Sequence, residues 1–338
     1  MALVVMKFGG TSVANEENRS HAIAHIRAEL EQGNRVVAVV SAMGRMGAPY
    51  ATDTLLSLVG KDVDLLTRDL LVSCGETISA CVFAHELTKS GIPARPFTGE
   101  GAGVRTTDVH DTAEIIGMDT TNVLAALEEG FVPVITGYQG RTSKGMTATI
   151  GRGGSDTSAV IIGGYLKADT VDIYTDVPGI AKTDPRIVPY AAFMDQISSE
   201  DMLYLANWGA SVIHPKAVAA GIRFGVPTLR VRSTFDDKPG TGILAQCAGE
   251  GFLGVALVKR LEEREGGAYA LGGKTYGQTD DGSLAILTAL CYGAGEEKLQ
   301  QVRRSLPGVE IRGEKLQALV PMESAADMTR QVYDILNG

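Results

Sequence analysis

A chain of 338 residues is long for one hydrophobic core, so two domains are expected, and an apolar content of 44% is enough to bury both. A formal charge of -9 with no Lys/Arg-rich stretch argues against a nucleic-acid surface. No basic segment followed by a long apolar core opens the chain, and no apolar run approaches the roughly 20 residues that span a bilayer, so a cytoplasmic location without membrane attachment is expected.

Leu3 to Met6 form a β-prone run, Lys7 ends it, Gly9 and Gly10 break it, and Thr11 and Ser12 are placed to cap a following helix. Two glycines let backbone amides approach an anion, a helix start adds its positive end, and Lys7 adds a full charge, so the expected ligand is a phosphate. Neither G-x-x-x-x-G-K-[ST] nor G-x-G-x-x-G occurs here. Residues 15–32 read as an amphipathic helix closed by Gly33, and Val36 to Val40 as a strand buried on both faces that delivers Ser41 to a loop. That loop leads to another helix, with Thr52 or Asp53 as its cap.

Residues 62–90 read as one or two helices carrying SCGETIS, where Gly75 permits close packing that would leave Glu76 poorly solvated, an ordinary exposed helix carboxylate being the other reading. A short strand (IPARPF), a helix at 121–129 and a buried strand (FVPVIT) follow. In GRGGSDTS, glycines surround Arg152, Ser155 and Asp156 immediately before a helix, a second loop suited to phosphate or carboxylate. A strand at Val171–Tyr174 ends in Thr175 and Asp176, Asp184 to Arg186 make an Asp-Pro-Arg turn, and PTLRVRST is a last strand before a glycine-marked boundary at 240–251. The alternation predicts an α/β fold with a mostly parallel central sheet sandwiched by helices, its ligands at the carboxyl ends of the strands. From Phe252 the pattern changes to that of a small α+β domain, giving domains 1–245 and 252–338.

Cys74, Cys81, Cys247 and Cys291 lack metal or disulfide spacing and read as small core residues. His21 and His25 share a helix face without a third ligand and read as solvated; His85 and His110 stand isolated.

The ordered set KFGGTS, VVSAMG, SCGETIS, GRGGSDTS, TDVPGI, TDPR and HPKAV resembles the aspartate kinases of the amino acid kinase superfamily over roughly residues 4–245, most like bacterial enzymes of the lysine and diaminopimelate pathway. The resemblance implies transfer of phosphate from ATP, with Mg2+ carried on the ATP phosphates and not by the protein directly, to the β-carboxylate of L-aspartate. Lys7 and the amides around Gly9, Gly10, Thr11, Gly153 and Gly154 would then meet phosphate, with Asp156 orienting Lys7. Glu76 and Arg152 would hold the substrate's ammonium and α-carboxylate, and Ser41, Thr52 and Ser155 would complete its pocket. Thr175, Asp176, Lys182, Asp184, Arg186 and Ser211 match the nucleotide side.

Three departures qualify the match. Ser211 stands where the family usually has a nucleotide-contacting lysine, and Ala181 where a larger residue usually packs; Lys182 or Lys216 is a candidate to restore the charge. The tail allows one ACT-type domain at most, and residues 262–282 are glycine-rich and polar where its first helix belongs. A reduced ACT-like domain serving homodimerisation, with weak feedback, is expected. A catalytically silent paralogue acting as a partner subunit and a kinase for another acidic amino acid are the alternatives.

Overall fold

The computed structural model describes residues 1–60, 62–247, 251–258, 269–271, 274–276, 284–306 and 308–338. Strand β1 (Leu3–Phe8) leads to helix α1 (Glu16–Glu31), strand β2 (Arg35–Val40), the short helix α2 (Thr52–Leu56) and the long helix α3 (Leu65–Lys89). Strands β3 (Ala94–Phe97), β4 (Val104–Thr106) and β5 (Ile115–Met118) follow, then helix α4 (Thr121–Glu128), strands β6 (Val132–Thr136), β7 (Gln139–Arg141) and β8 (Thr147–Thr149), helix α5 (Gly154–Leu166) and strand β9 (Thr170–Thr175). Next come β10 (Gln196–Ser198), α6 (Ser199–Asn207), α7 (Pro215–Phe224), β11 (Thr228–Ser233) and β12 (Thr241–Leu244). The remainder holds β13 (Phe252–Val258), β14 (Tyr269–Leu271), β15 (Lys274–Tyr276), β16 (Leu284–Cys291), α8 (Glu296–Ser305), β17 (Glu310–Arg312), β18 (Lys315–Pro321) and α9 (Ala325–Asn337).

Residues 1–178 and 216–245 form one compact unit, and residues 179–215 and 246–338 a second. In the first, the sheet runs β12-β11-β9-β1-β2-β6-β3. Every neighbouring pair is parallel except β11 with β12. Strands buried on both faces need unbroken apolar runs, and β1 and β2 supply them: every residue of β1 and all of β2 beyond Arg35 are buried. Met6, Phe8, Ala38 and Val40 pack on Ile23 and Ile26 of α1 and on Ala80, Phe83 and Leu87 of α3. A smaller sheet, β5-β4-β7-β8, was not apparent in the sequence; its strands are three or four residues long, too short to show a period.

By length and composition alone α3 is apolar enough to cross a bilayer. Its apolar run is interrupted by charge and its Ala80–Leu87 half belongs to the core, so its hydrophobicity serves packing.

Two expected helix caps are displaced. Helix α1 is capped by Asn15, whose Oδ1 accepts from the Asn18 amide at 2.8 Å, so Thr11 and Ser12 lie in the turn before it. Ala51 occupies the cap of α2 without a side-chain bond, leaving Thr52 and Asp53 inside that helix.

In the second unit β13, β16, β18 and β17 make an antiparallel sheet. Its core joins Val255, Leu287, Leu316 and Val320 to Val302 of α8, to Val332, Tyr333 and Leu336 of α9, and to Ile187, Val188 and Ala191. The expectation of an irregular first ACT helix at 262–282 lies outside the described residues, save for the β14–β15 pair, which is antiparallel strand.

Three side-chain expectations are overturned. Among the cysteines only Cys291 is buried, Cys74 and Cys81 being exposed on α3 because they fall off its core face. His25 is buried, its Nε2 3.1 Å from the Thr234 carbonyl and its ring against Tyr174, and burial holds its pKa below the ordinary range. His110 is not isolated: its Nδ1 lies 2.8 Å from Asp69.

Candidate active site

Strands β1, β2 and β9 end together, and the residues just beyond them build the site from the backbone outward. Lys7 is the last but one residue of β1, in register with Val39 of β2 and Ile173 of β9, so its side chain is fixed at the carboxyl end of the sheet. It is 8% exposed. Its Nζ lies 2.6 Å from Asp156 Oδ1 in the first turn of α5. The helix N-terminus beside Lys7 is therefore that of α5 and not of α1, which is capped by Asn15. The dipole argument survives with a different helix, one entered through Gly153 at φ 67°.

The Gly9 amide donates to the Tyr174 carbonyl at 3.2 Å, tying the turn to β9. Gly10 is needed for closeness: a Cβ there would sit 2.6 Å from the Gly44 carbonyl oxygen and 2.9 Å from that of Ala42. The loop after β1 thus nests against the loop after β2, which begins with half-buried Ser41 donating its amide to Phe8.

Ala42 joins this nest to Glu76. Its amide donates to Glu76 Oε1 at 3.2 Å. Gly75 permits that approach, since a Cβ on it would lie 2.7 Å from the Tyr50 carbonyl oxygen and 2.9 Å from Ala42 Cβ. Glu76 is 2% exposed, and its Oε2 is buried with no protein partner. Burial pushes the carboxyl up to about 7, opposed by its backbone hydrogen bonds. A buried acid with one oxygen bonded and one orphaned suits a cationic group more than the protein around it.

The other predicted residues divide by location. Thr52 opens α2, half-buried. Arg152 is exposed in the loop before α5, with Gly154 buried and Ser155 half-buried at that helix's start. Thr175 Oγ1 lies 3.2 Å from Asp176 Oδ1 at the end of β9. Lys182, Asp184, Arg186 and Ser211 belong to the second unit. There the Lys182 ammonium lies over the Phe252 ring, 5.5 Å from its centroid. Arg186 forks onto Asp184 (Nε to Oδ1 2.9 Å, Nη2 to Oδ2 2.7 Å), and its amide closes an Asx-type turn on the same carboxylate. Ser211 is exposed just before α7.

Sequence reading missed Arg45. Its Nε donates to Thr11 Oγ1 at 3.1 Å and its Nη2 to Asp176 Oδ2 at 2.6 Å, so one exposed guanidinium bridges the loops after β1, β2 and β9. The available signal was its place directly after Gly44 in a strand-end loop. Ser12, read as a cap, instead shares a 2.6 Å hydroxyl pair with Thr234 beyond β11. Among the described residues no three His, Cys, Asp or Glu side chains converge as a metal-ligand set.

The chain is 45% identical over 244 residues to aspartokinase 1 of Bacillus subtilis, covering 71% of this chain and 60% of that protein. It is 41% identical over 266 residues to the aspartokinase of Thermus thermophilus, covering 76% and 63%. The chain thus corresponds to about three-fifths of the length of these curated relatives. Among solved structures, Escherichia coli aspartokinase III, in complex with aspartate and ADP, superposes with a TM-score of 0.80 at 22% identity, covering 99% of this chain and 100% of that one. Aspartate kinase from Synechocystis gives 0.64 at 26% identity, covering 99% and 69%. Residues 2–233 match the amino acid kinase family, and the chain belongs to that family.

Proposed function

We propose that this chain phosphorylates the β-carboxylate of L-aspartate from ATP, giving 4-phospho-L-aspartate. The observation that carries the choice of an α-amino acid is Glu76: a buried carboxylate with one orphaned oxygen is the counter-charge that an ammonium group completes. Arg152 takes the α-carboxylate with its two-pronged fork, which a lysine would not reproduce. Ser41, Thr52 and Ser155 position the β-carboxylate. Ionised at neutral pH, that carboxylate is its own nucleophile, so no general base is required.

Phosphoryl transfer is chiefly positioning and charge stabilisation. Lys7 neutralises charge on the transferring group, Asp156 holds its ammonium in place, and the amides around Gly9, Gly10, Gly153 and Gly154 line the same space. Thr175, Asp176, Lys182, Asp184, Arg186 and Ser211 match the nucleotide-side residues of related kinases by sequence. The donor set fits magnesium carried in on the ATP phosphates, because Mg2+ in such sites takes most of its coordination from phosphate and water. Bound there, it would add charge neutralisation between the phosphates.

The working division is a catalytic domain, 1–245, and a reduced ACT-like domain, 252–338, through which the chain forms a cytoplasmic homodimer with weak feedback. Relatives named aspartokinases support the kinase over a silent paralogue. The test is an ATP and magnesium assay with L-aspartate, the acyl phosphate trapped as its hydroxamate. Aspartate-dependent signal lost in Lys7→Ala is expected; an unchanged signal in that variant would overturn the role given to Lys7. Lysine or threonine at saturation should leave turnover nearly unaltered, and strong inhibition by either would refute the reduced regulation.

A further inference from the structure

The proposed chemistry leaves two fully buried carboxylates unused: Asp172, which is paired with Arg230 and Arg232, and Asp69. Asp69 sits on α3 at 0% exposure, seven residues before Glu76. Seven residues are nearly two turns, so both acids project from one face of the helix about 10 Å apart along its axis. Asp69 accepts from four donors of other segments: the Thr149 hydroxyl at 2.5 Å, the Thr149 amide at 3.1 Å, the Asp111 amide at 3.1 Å, and His110 Nδ1 at 2.8 Å.

These donors share one feature. Thr149 ends β8, three residues before Arg152, and the loop that supplies His110 and Asp111 is tied to the same strand by the Ala113 amide, 2.9 Å from the Thr149 carbonyl. Asp111 adopts a left-handed backbone, φ 68°, which turns its amide toward Asp69, and its carboxylate pairs with Arg68 at 2.8 Å. Two neighbouring residues of α3 therefore hold the root of the glycine loop that bears Arg152.

We propose that Asp69 is a positioning residue of the amino-acid clamp: through Thr149 it sets the Arg152 loop against Glu76, so that ammonium and α-carboxylate are gripped from one rigid helix. This rests on the assignment of Glu76 and Arg152 made above. A carboxylate serving only the fold would have no reason to couple to one substrate more than the other. Asp69, acting through Arg152, couples to aspartate more than to ATP.

Steady-state kinetics of the full chain test this, with aspartate and ATP varied separately and thermal unfolding measured alongside. Asp69→Asn and Thr149→Val should raise the aspartate KM about ten- to a hundredfold while the ATP KM stays within about twofold. Thr149→Ser keeps the hydroxyl and should restore the aspartate KM, which a merely volumetric role for Thr149 would not require. If Asp69→Asn does not fold, the Val and Ser pair decides alone. Lower melting temperatures with an unchanged aspartate KM, or equal rises in both KM values, would overturn the proposal. A wild type without aspartate-dependent turnover would remove the reading of Glu76 and Arg152, and the role of Asp69 with it.

Discussion

Two charged sites in this molecule solve the problem of holding carboxylates in opposite ways. Asp184 and Arg186, two residues apart in a turn of the second unit, satisfy each other, and the arginine side chain is 83% exposed. Glu76, in the first unit, is buried, bonded at one oxygen and orphaned at the other. The first arrangement costs little and gains little, since exposed pairs contribute roughly 0–1 kcal/mol. The second is a standing cost that the fold tolerates, and such a cost is where a ligand finds its binding energy. Lys7 with Asp156 lies between the extremes: enclosed, yet already paired at 2.6 Å.

The largest expected effect is at Lys7. Lys7→Ala removes a cation from the transferring phosphoryl group and leaves Asp156 without its partner; turnover should fall by about two to three decades, on the order of 3–4 kcal/mol. Retention of wild-type turnover in the hydroxamate assay would contradict its placement at the reacting phosphate.

Next is Glu76, where the contrast can be read in stability as well as activity. Its folded pKa, about 7, lies above the ordinary glutamate value of 4.5, so the folded state favours the protonated form. That contribution is complete below about pH 4.5 and is lost as pH rises through 7, amounting to about 3 kcal/mol by pH 8. Wild-type stability should therefore decline between pH 5 and pH 8, and Glu76→Gln should remove most of that decline in urea titrations while raising the aspartate KM by about tenfold or more. Saturating aspartate should restore stability to the wild type at pH 8. A variant with the same pH dependence as the wild type would show that the carboxyl is not the group responsible.

The second unit should respond differently. Arg186→Ala is expected to change stability by less than about 0.5 kcal/mol and to raise the ATP KM, leaving that for aspartate unaltered. Smallest is Ser211→Lys, which replaces the cation usual in related kinases and should improve the ATP KM a few-fold; no gain there, with losses in Lys182→Ala or Lys216→Ala, would place the compensating charge on one of those lysines.

The parallel sheet was legible because buried parallel strands cannot hide: Val36 to Val40 has one physical reading, and the run ends in a small polar residue at the carboxyl edge of the sheet. Lys7 was legible by the glycines that follow it, which mark close backbone approach, and Glu76 through the resemblance of SCGETIS to the aspartate kinases. What stayed hidden depends on contacts far apart in sequence. Asp69 reads as one more acid on a helix until Thr149 and Asp111 are brought to it across 80 and 42 positions. His25 reads as solvated until Tyr174 and Thr234 cover it. The extent of α1 was legible, residues 15–32 against Glu16–Glu31, but its cap, expected at Thr11 or Ser12, falls on Asn15. Arg45 was missed because a long, exposed arginine carries no periodicity.

The central claim is that Glu76 waits, half protonated near neutrality, for the ammonium group of an amino acid. Calorimetric titration of L-aspartate into the protein, in buffers of different ionisation enthalpy, counts the protons released when that carboxyl is driven to ionise. Proton release on binding should be largest at pH 6 and fall as pH rises through about 7, with none from Glu76→Gln. Binding without proton release at pH 6 and 7, or equal release from the Gln variant, would contradict it.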